Sequence, residues 1–170
     1  MRELSLVVCD DDDLAAAAIE AAAEAQGYTI AGRVANAVDL LRLLAHVHPS
    51  VVVARQELPG TTGLDAAREL QSPTDHDGAA APQVILTSSA PDLELLAADP
   101  SVSEAVPWGD LPTLEQALVR LREQILTGER RRGGDRRSGE DRRKRQDWTK
   151  VFAERRSGQD RRRGDRRTGG

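Results

Sequence analysis

The sequence predicts an α/β fold: a parallel sheet wound on both sides by helices, followed by a basic tail. Three observations lead there. Short apolar, β-branched runs alternate with helix-patterned segments five times along residues 4–126. The strand runs are apolar on both faces, as a sheet covered on both sides requires. The charge then changes sign where the alternation stops.

Leu4–Cys9 is an apolar run ending in Asp10, Asp11, Asp12 and Asp13, and reads as a buried strand. Leu14–Gln26 is rich in Ala and Glu and meets Gly27, a helix with a glycine stop. Tyr28–Val34 reads as the second strand. Leu40, Leu41, Leu43 and Leu44 give Val38–Val47 near-helical spacing before Pro49. Ser50–Ala54 is the third strand, Leu58–Gly60 a turn and Leu64–Leu70 a helix. Ser72–Pro82 is a polar and alanine loop. Val84–Thr87 is the fourth strand and Leu93–Ala98 a short helix. Ala105–Val106 is a weak fifth strand, and Leu111–Leu126 an amphipathic helix. This order implies right-handed crossovers and a parallel sheet. In such sheets ligands gather beyond the carboxyl ends of the strands. Asp10 to Asp12, Arg55, Thr87 and Trp108 sit at or just past such ends.

The charge divides the chain. Residues 1–127 carry 7 basic and 20 acidic side chains, a net of −13, and residues 128–170 carry 17 and 8, a net of +9. Such a split suggests two jobs, or two parts that attract each other. The one cysteine, Cys9, sits in an apolar run and excludes a disulfide framework within the chain. No basic, apolar leader opens the sequence, and no apolar run approaches the ~18 residues of a membrane span. A cytoplasmic location without membrane attachment is the expectation.

From Gly128 onward aliphatic residues almost vanish and glycines and arginines dominate, a composition expected to stay disordered. Arg136–Arg143 reads RRSGEDRR and Arg155–Arg162 reads RRSGQDRR. Their doublets Arg136 and Arg137, Arg142 and Arg143, Arg155 and Arg156, and Arg161 and Arg162 are candidate polyanion contacts. Acidic neighbours dilute that charge. Between the repeats, residues 147–154 (DWTKVFAE) form the tail's apolar island. Trp148, Val151 and Phe152 stand at i, i+3 and i+4, one face of a short helix suited to docking on a protein. The bland alternative is a solubilising tail with a chance apolar triplet. Two R-x-x-D patterns, Arg132–Asp135 and Arg162–Asp165, fit cyclic-dinucleotide contacts, but chance yields them in an Arg/Asp-rich tail.

Three segments of the first 127 residues resemble the receiver domains of bacterial two-component response regulators. LVVCDDDDL resembles the first strand with its acidic pair, here Asp10 and Asp11. VVVARQELPGTTGLDAAREL resembles the third strand, its loop and its helix. VILTSSA resembles the fourth strand with its hydroxyl, here Thr87. The resemblance implies a flavodoxin-like (βα)5 sheet. It also implies a carboxylate pair that holds Mg²⁺, an aspartate that accepts a phosphoryl group, a lysine that contacts the phosphate and an aromatic switch residue. The attacking carboxylate must be an anion, and the metal must neutralise the transferred charge.

The chain departs from that pattern. The phosphoacceptor position is Arg55, whose guanidinium is no nucleophile. The lysine position falls at Trp108 and the aromatic position at Ala105. Without a metal, Asp10 and Asp11 would be crowded like charges, and Arg55 can supply a fixed cation with bidentate hydrogen bonds. The expectation is that Arg55 pairs with Asp10 or Asp11 and locks the domain in one state; the plainer reading leaves Arg55 in solvent. No metal is expected, and Asp10 and Asp11 are the ligands if one binds.

Other residues carry less. His46, His48 and His76 make no metal spacing. Thr87, Ser88 and Ser89 have no histidine near in sequence to activate them. The expected function is a phosphorylation-independent signalling or scaffolding adaptor, not an enzyme and without a cofactor. Its partner is a protein or its own acidic domain. The alternative is a regulator that binds nucleic acid or another polyanion through the tail. A phosphorylatable regulator would need another acceptor, such as Glu57.

Overall fold

The computed structural model describes residues 3–72 and 80–135, with side chains as far as Gly128. It divides into two units, Met1–Leu126 and Thr127–Gly170. The elements are β1 (Ser5–Cys9), α1 (Asp13–Ala25), β2 (Thr29–Val34), α2 (Ala37–Leu44), β3 (Val51–Arg55), α3 (Gly63–Leu70), β4 (Gln83–Ser88), α4 (Leu93–Ala97), β5 (Glu104–Pro107) and α5 (Leu111–Asp135). The sheet is five-stranded, in the order β2-β1-β3-β4-β5, and every pair is parallel. This is the flavodoxin-like doubly wound order.

Strand order reverses between β1 and β3, so a crevice opens beyond their carboxyl ends. Asp10 and Arg55 are at those ends. In the β3–β4 register Arg55 lies opposite Thr87. The two faces of the sheet fill two cores. Leu6, Val8, Val53 and Ile85 pack with Ile19, Leu118 and Leu121 of α1 and α5. Val7, Val52, Val84 and Leu86 pack with Leu40, Leu70 and Leu96 of α2, α3 and α4. Burial of side chains this size stabilises by about 1.5–3 kcal/mol each.

Side chains fix where the helices begin and end. Asp12 Oδ1 accepts from the amides of Leu14 and Ala15, both at 2.9 Å, and caps α1. Gly27 closes that helix at φ 83°, a conformation glycine takes without strain. Thr62 Oγ1 caps α3 by accepting from the Asp65 amide at 3.1 Å. At Gly63 a Cβ would lie 2.4 Å from the Arg55 carbonyl oxygen. Only glycine lets α3 start this close to the end of β3.

Several boundaries differ from the sequence expectation, among them the second helix, which is Ala37–Leu44 rather than Val38–Val47. The fifth strand is Glu104–Pro107 rather than two residues. It pairs only with β4, and proline is tolerated at such an edge. The last helix runs on through Gly128 to Asp135 instead of ending at Leu126. Propagating a helix is easy once it has formed and arginine favours it, although Gly128, Gly133 and Gly134 each cost about 1 kcal/mol. The extension leaves the expectation of a disordered tail standing. The remaining tail calls, including the segment 147–154 and the arginine doublets from Arg136, lie outside the described residues. Among the described residues, no helix is long and apolar enough to cross a membrane.

Candidate functional site

Asp10 follows β1 and is 3% exposed. Its Oδ1 accepts from the Asp12 amide at 2.9 Å. Its Oδ2 accepts from the Trp108 indole Nε1–H at 3.1 Å. Both oxygens are therefore engaged, which a buried carboxylate requires. Asp11 is more open, and Arg55 Nη1 donates to its Oδ1 at 2.9 Å. The same nitrogen stands 3.7 Å from Asp10 Oδ1. The Arg55 guanidinium carbon lies 4.5 Å from the centre of the Trp108 ring, so the cation faces the ring's electron-rich surface. The structure thus brings Asp10, Asp11, Arg55 and Trp108 together, and Arg55 does not point away into solvent.

Thr87 lies beside Arg55 in the sheet and is buried, but its Oγ1 has no hydrogen-bond partner. Ala105 is on β5, half-buried among the α4-side core residues. His46 and His48 are exposed, and His76 lies outside the described residues. Cys9 is fully buried, and burial followed by the nearby carboxylates of Asp10 and Asp11 pushes its thiol up to about 12. It is core, not a reactive group.

Glu57 has a role that sequence reasoning missed. Its Oε2 stands 3.6 Å from Arg55 Nε. Its Oε1 accepts from the Ser88 hydroxyl at 2.6 Å and the Ser89 amide at 3.0 Å. Burial works to raise its pKa, but the hydrogen bonds from Ser88, its own amide, Ser89 and Ala90 outweigh it and hold the carboxyl below the usual range. Glu57 thereby ties the end of β3 to the end of β4. The one signal in the sequence was a carboxylate two residues past Arg55.

The arrangement suits structure better than metal binding. Among the described residues no group of three or more metal-ligating side chains forms. The guanidinium fills the place beside the two carboxylates that a divalent ion would take. Asp10 and Asp11 therefore do not fit Mg²⁺ while Arg55 is present.

Solved structures place this geometry among known folds. The response regulatory domain of MrkE from Klebsiella pneumoniae is 14% identical with a TM-score of 0.62, covering 71% of this chain and 97% of that one. The signal receiver domain of the putative response regulator NarL from Mycobacterium tuberculosis is 18% identical with a TM-score of 0.60, covering 75% and 99%. A LuxR-family DNA-binding response regulator from Staphylococcus aureus is 21% identical with a TM-score of 0.59, covering 69% and 98%. These likenesses show the fold. No curated protein matches the chain significantly. The model of the response regulator receiver domain matches residues 6–98, more than half of the sequence. The chain therefore belongs to the response regulator receiver domain family, a signalling module of two-component systems.

Proposed function

We propose that the chain is a degenerate receiver, a phosphorylation-independent adaptor that binds protein partners and performs no catalytic step. The observation that carries this is the 2.9 Å hydrogen bond from Arg55 Nη1 to Asp11 Oδ1. It places a cation at the end of β3, where the family resemblance calls for an aspartate, and joins it to the acidic pair. A protonated guanidinium cannot serve as the attacking carboxylate, and here it neutralises the charge that Mg²⁺ would otherwise balance. The domain then rests in one state that partners read without a phosphorylation step. A cytoplasmic setting belongs to the same reading.

The test is incubation of the full chain with acetyl phosphate and Mg²⁺, followed by intact-mass measurement. No added phosphoryl group is expected. A base-labile acyl phosphate in the N-terminal half overturns the proposal. Partner binding is tested by affinity capture with the full chain and with Trp148→Ala, Phe152→Ala. Capture that the double substitution leaves unchanged removes the tail from the proposal. The +9 charge of residues 128–170 favours a second reading, a regulator bound to a polyanion. A salt-dependent gel shift by the full chain supports that reading, and no shift at low salt excludes it.

A further inference from the structure

We propose that the apolar recess between α1 and the start of α5 docks residues 147–154 of a second copy of this chain, so that two copies exchange tails. The inference rests on the reading of the chain as a protein-binding adaptor and names the partner. Ala15, Ala18 and Ile19 of α1 and Leu111 and Leu114 of α5 line the recess, with Trp108 in the same wall. Leu14, one turn before Ala18 on the same side of α1, is 84% exposed. It extends the apolar wall outward into a joined patch, the kind of surface that marks a protein contact.

Charge selects the occupant. Asp110 is part of the wall, Asp13 beside Leu14 has a side chain 95% exposed, and no basic side chain lines the recess. Residues 1–127 as a whole carry −13. Residues 142–156 carry 7 basic and 2 acidic side chains, a net of +5, around Trp148, Val151 and Phe152. An apolar face in a basic setting thus matches an apolar wall in an acidic one. At about 100 Å³ the recess is too small to engulf an aromatic ring, so the two rings lie across its mouth, against Leu14. The donor is a second copy because the chain's own tail reaches back poorly. α5 carries the backbone about 36 Å from Leu111 to Asp135. The 13 residue steps from Asp135 to Trp148 span at most about 45 Å at full extension. The tail of another copy meets no such limit. Exchange also makes the same contact twice, and the second forms within a pair already joined.

The experiment is sedimentation of the full chain over a range of protein concentrations, without a phosphodonor. A concentration-dependent dimer that weakens as salt rises is expected. Leu14→Ser, at an exposed position, and the double substitution Trp148→Ala, Phe152→Ala should each weaken the dimer roughly tenfold or more, with the fold verified by circular dichroism. A monomer at every concentration overturns the proposal. So does a dimer that either variant leaves as tight as the parent. A chain that stays monomeric yet captures a different protein overturns the exchange alone and leaves the adaptor reading standing.

Discussion

The guanidinium of Arg55 and the ring of Trp108 stack at 4.5 Å across a strand that belongs to neither residue. Arg55 ends β3 and Trp108 follows β5, with β4 between them in the sheet. Asp10, at the end of β1, takes the indole N–H. One cation and one ring thus couple the carboxyl ends of β1, β3 and β5, while Glu57 adds β4.

Arg55→Ala should lower stability by about 1.5–3 kcal/mol, the range for hydrogen bonds to charged groups. Asp10 keeps two other donors, which limits the loss. The vacated place then admits a divalent ion. Urea unfolding with and without Mg²⁺ checks both points. Mg²⁺ should raise the midpoint of the variant and leave the parent unmoved. An equal rise in both proteins contradicts the account of the site.

Trp108→Phe keeps an aromatic face for Arg55 but deletes the donor to Asp10 Oδ2. We expect a loss of about 1–3 kcal/mol from the unsatisfied carboxylate oxygen. Trp108→Ala also removes the stack, adding about 0.5–2 kcal/mol. Equal stability of the two variants in thermal unfolding would show that the stack contributes nothing.

Thr87→Val replaces a buried hydroxyl that has no partner. The change should be neutral or stabilising by up to about 1 kcal/mol, since only an unmet group is removed. A clear drop in unfolding free energy would reveal a partner for this hydroxyl.

Gly63→Ala should destabilise by about 1–3 kcal/mol, the usual penalty of forced overpacking. The added carbon meets the rigid Arg55 carbonyl rather than a movable side-chain end. Gly32→Ala is the contrast. Its closest contact is Leu43 Cδ2, at the end of a flexible side chain. Comparable losses at the two positions, read by urea unfolding, would refute the distinction.

Stability should fall on the alkaline side. Burial raises the Cys9 thiol from 9.0 to about 12. Burial likewise raises the Tyr28 phenol from 10.0 to about 12, with Arg122 acting in the opposite sense. The Tyr28 hydroxyl donates to the Leu118 carbonyl at 2.9 Å. Both acids are neutral in the fold and ionise more readily when unfolded. Their contribution is whole below the unfolded values and drains away as pH rises toward 12. Urea midpoints should decline from about pH 9 upward, less steeply in Cys9→Ala. A slope that this substitution leaves unaltered removes Cys9 from the cause.

The topology was legible because three strands contain short runs apolar on both faces, Leu6–Cys9, Val51–Ala54 and Val84–Leu86. Gly27 marked its helix end for a local reason, its freedom at positive φ. What escaped depended on tertiary placement. β5 has no continuous apolar run because it is an edge strand with Glu104 and Pro107 in it. The choice between Asp10 and Asp11 as the partner of Arg55 could not be read either. It turns on burial: Asp10 faces inward to Trp108 and the Asp12 amide, leaving Asp11 to take the short hydrogen bond. Glu57 acquires its role only when folding delivers Ser88 and Ser89 from another strand.

The run Asp10 to Asp13 assigns four identical side chains to different tasks: an indole acceptor, an arginine acceptor, a helix cap and a first-turn charge. Identity of the residues means that sliding the backbone one place would put the same chemistry at nearly every post. The tetrad cannot select its own alignment. Valines on one flank and alanines on the other must do so, and weakening either flank should blur which aspartate meets which neighbour before any of the four is altered.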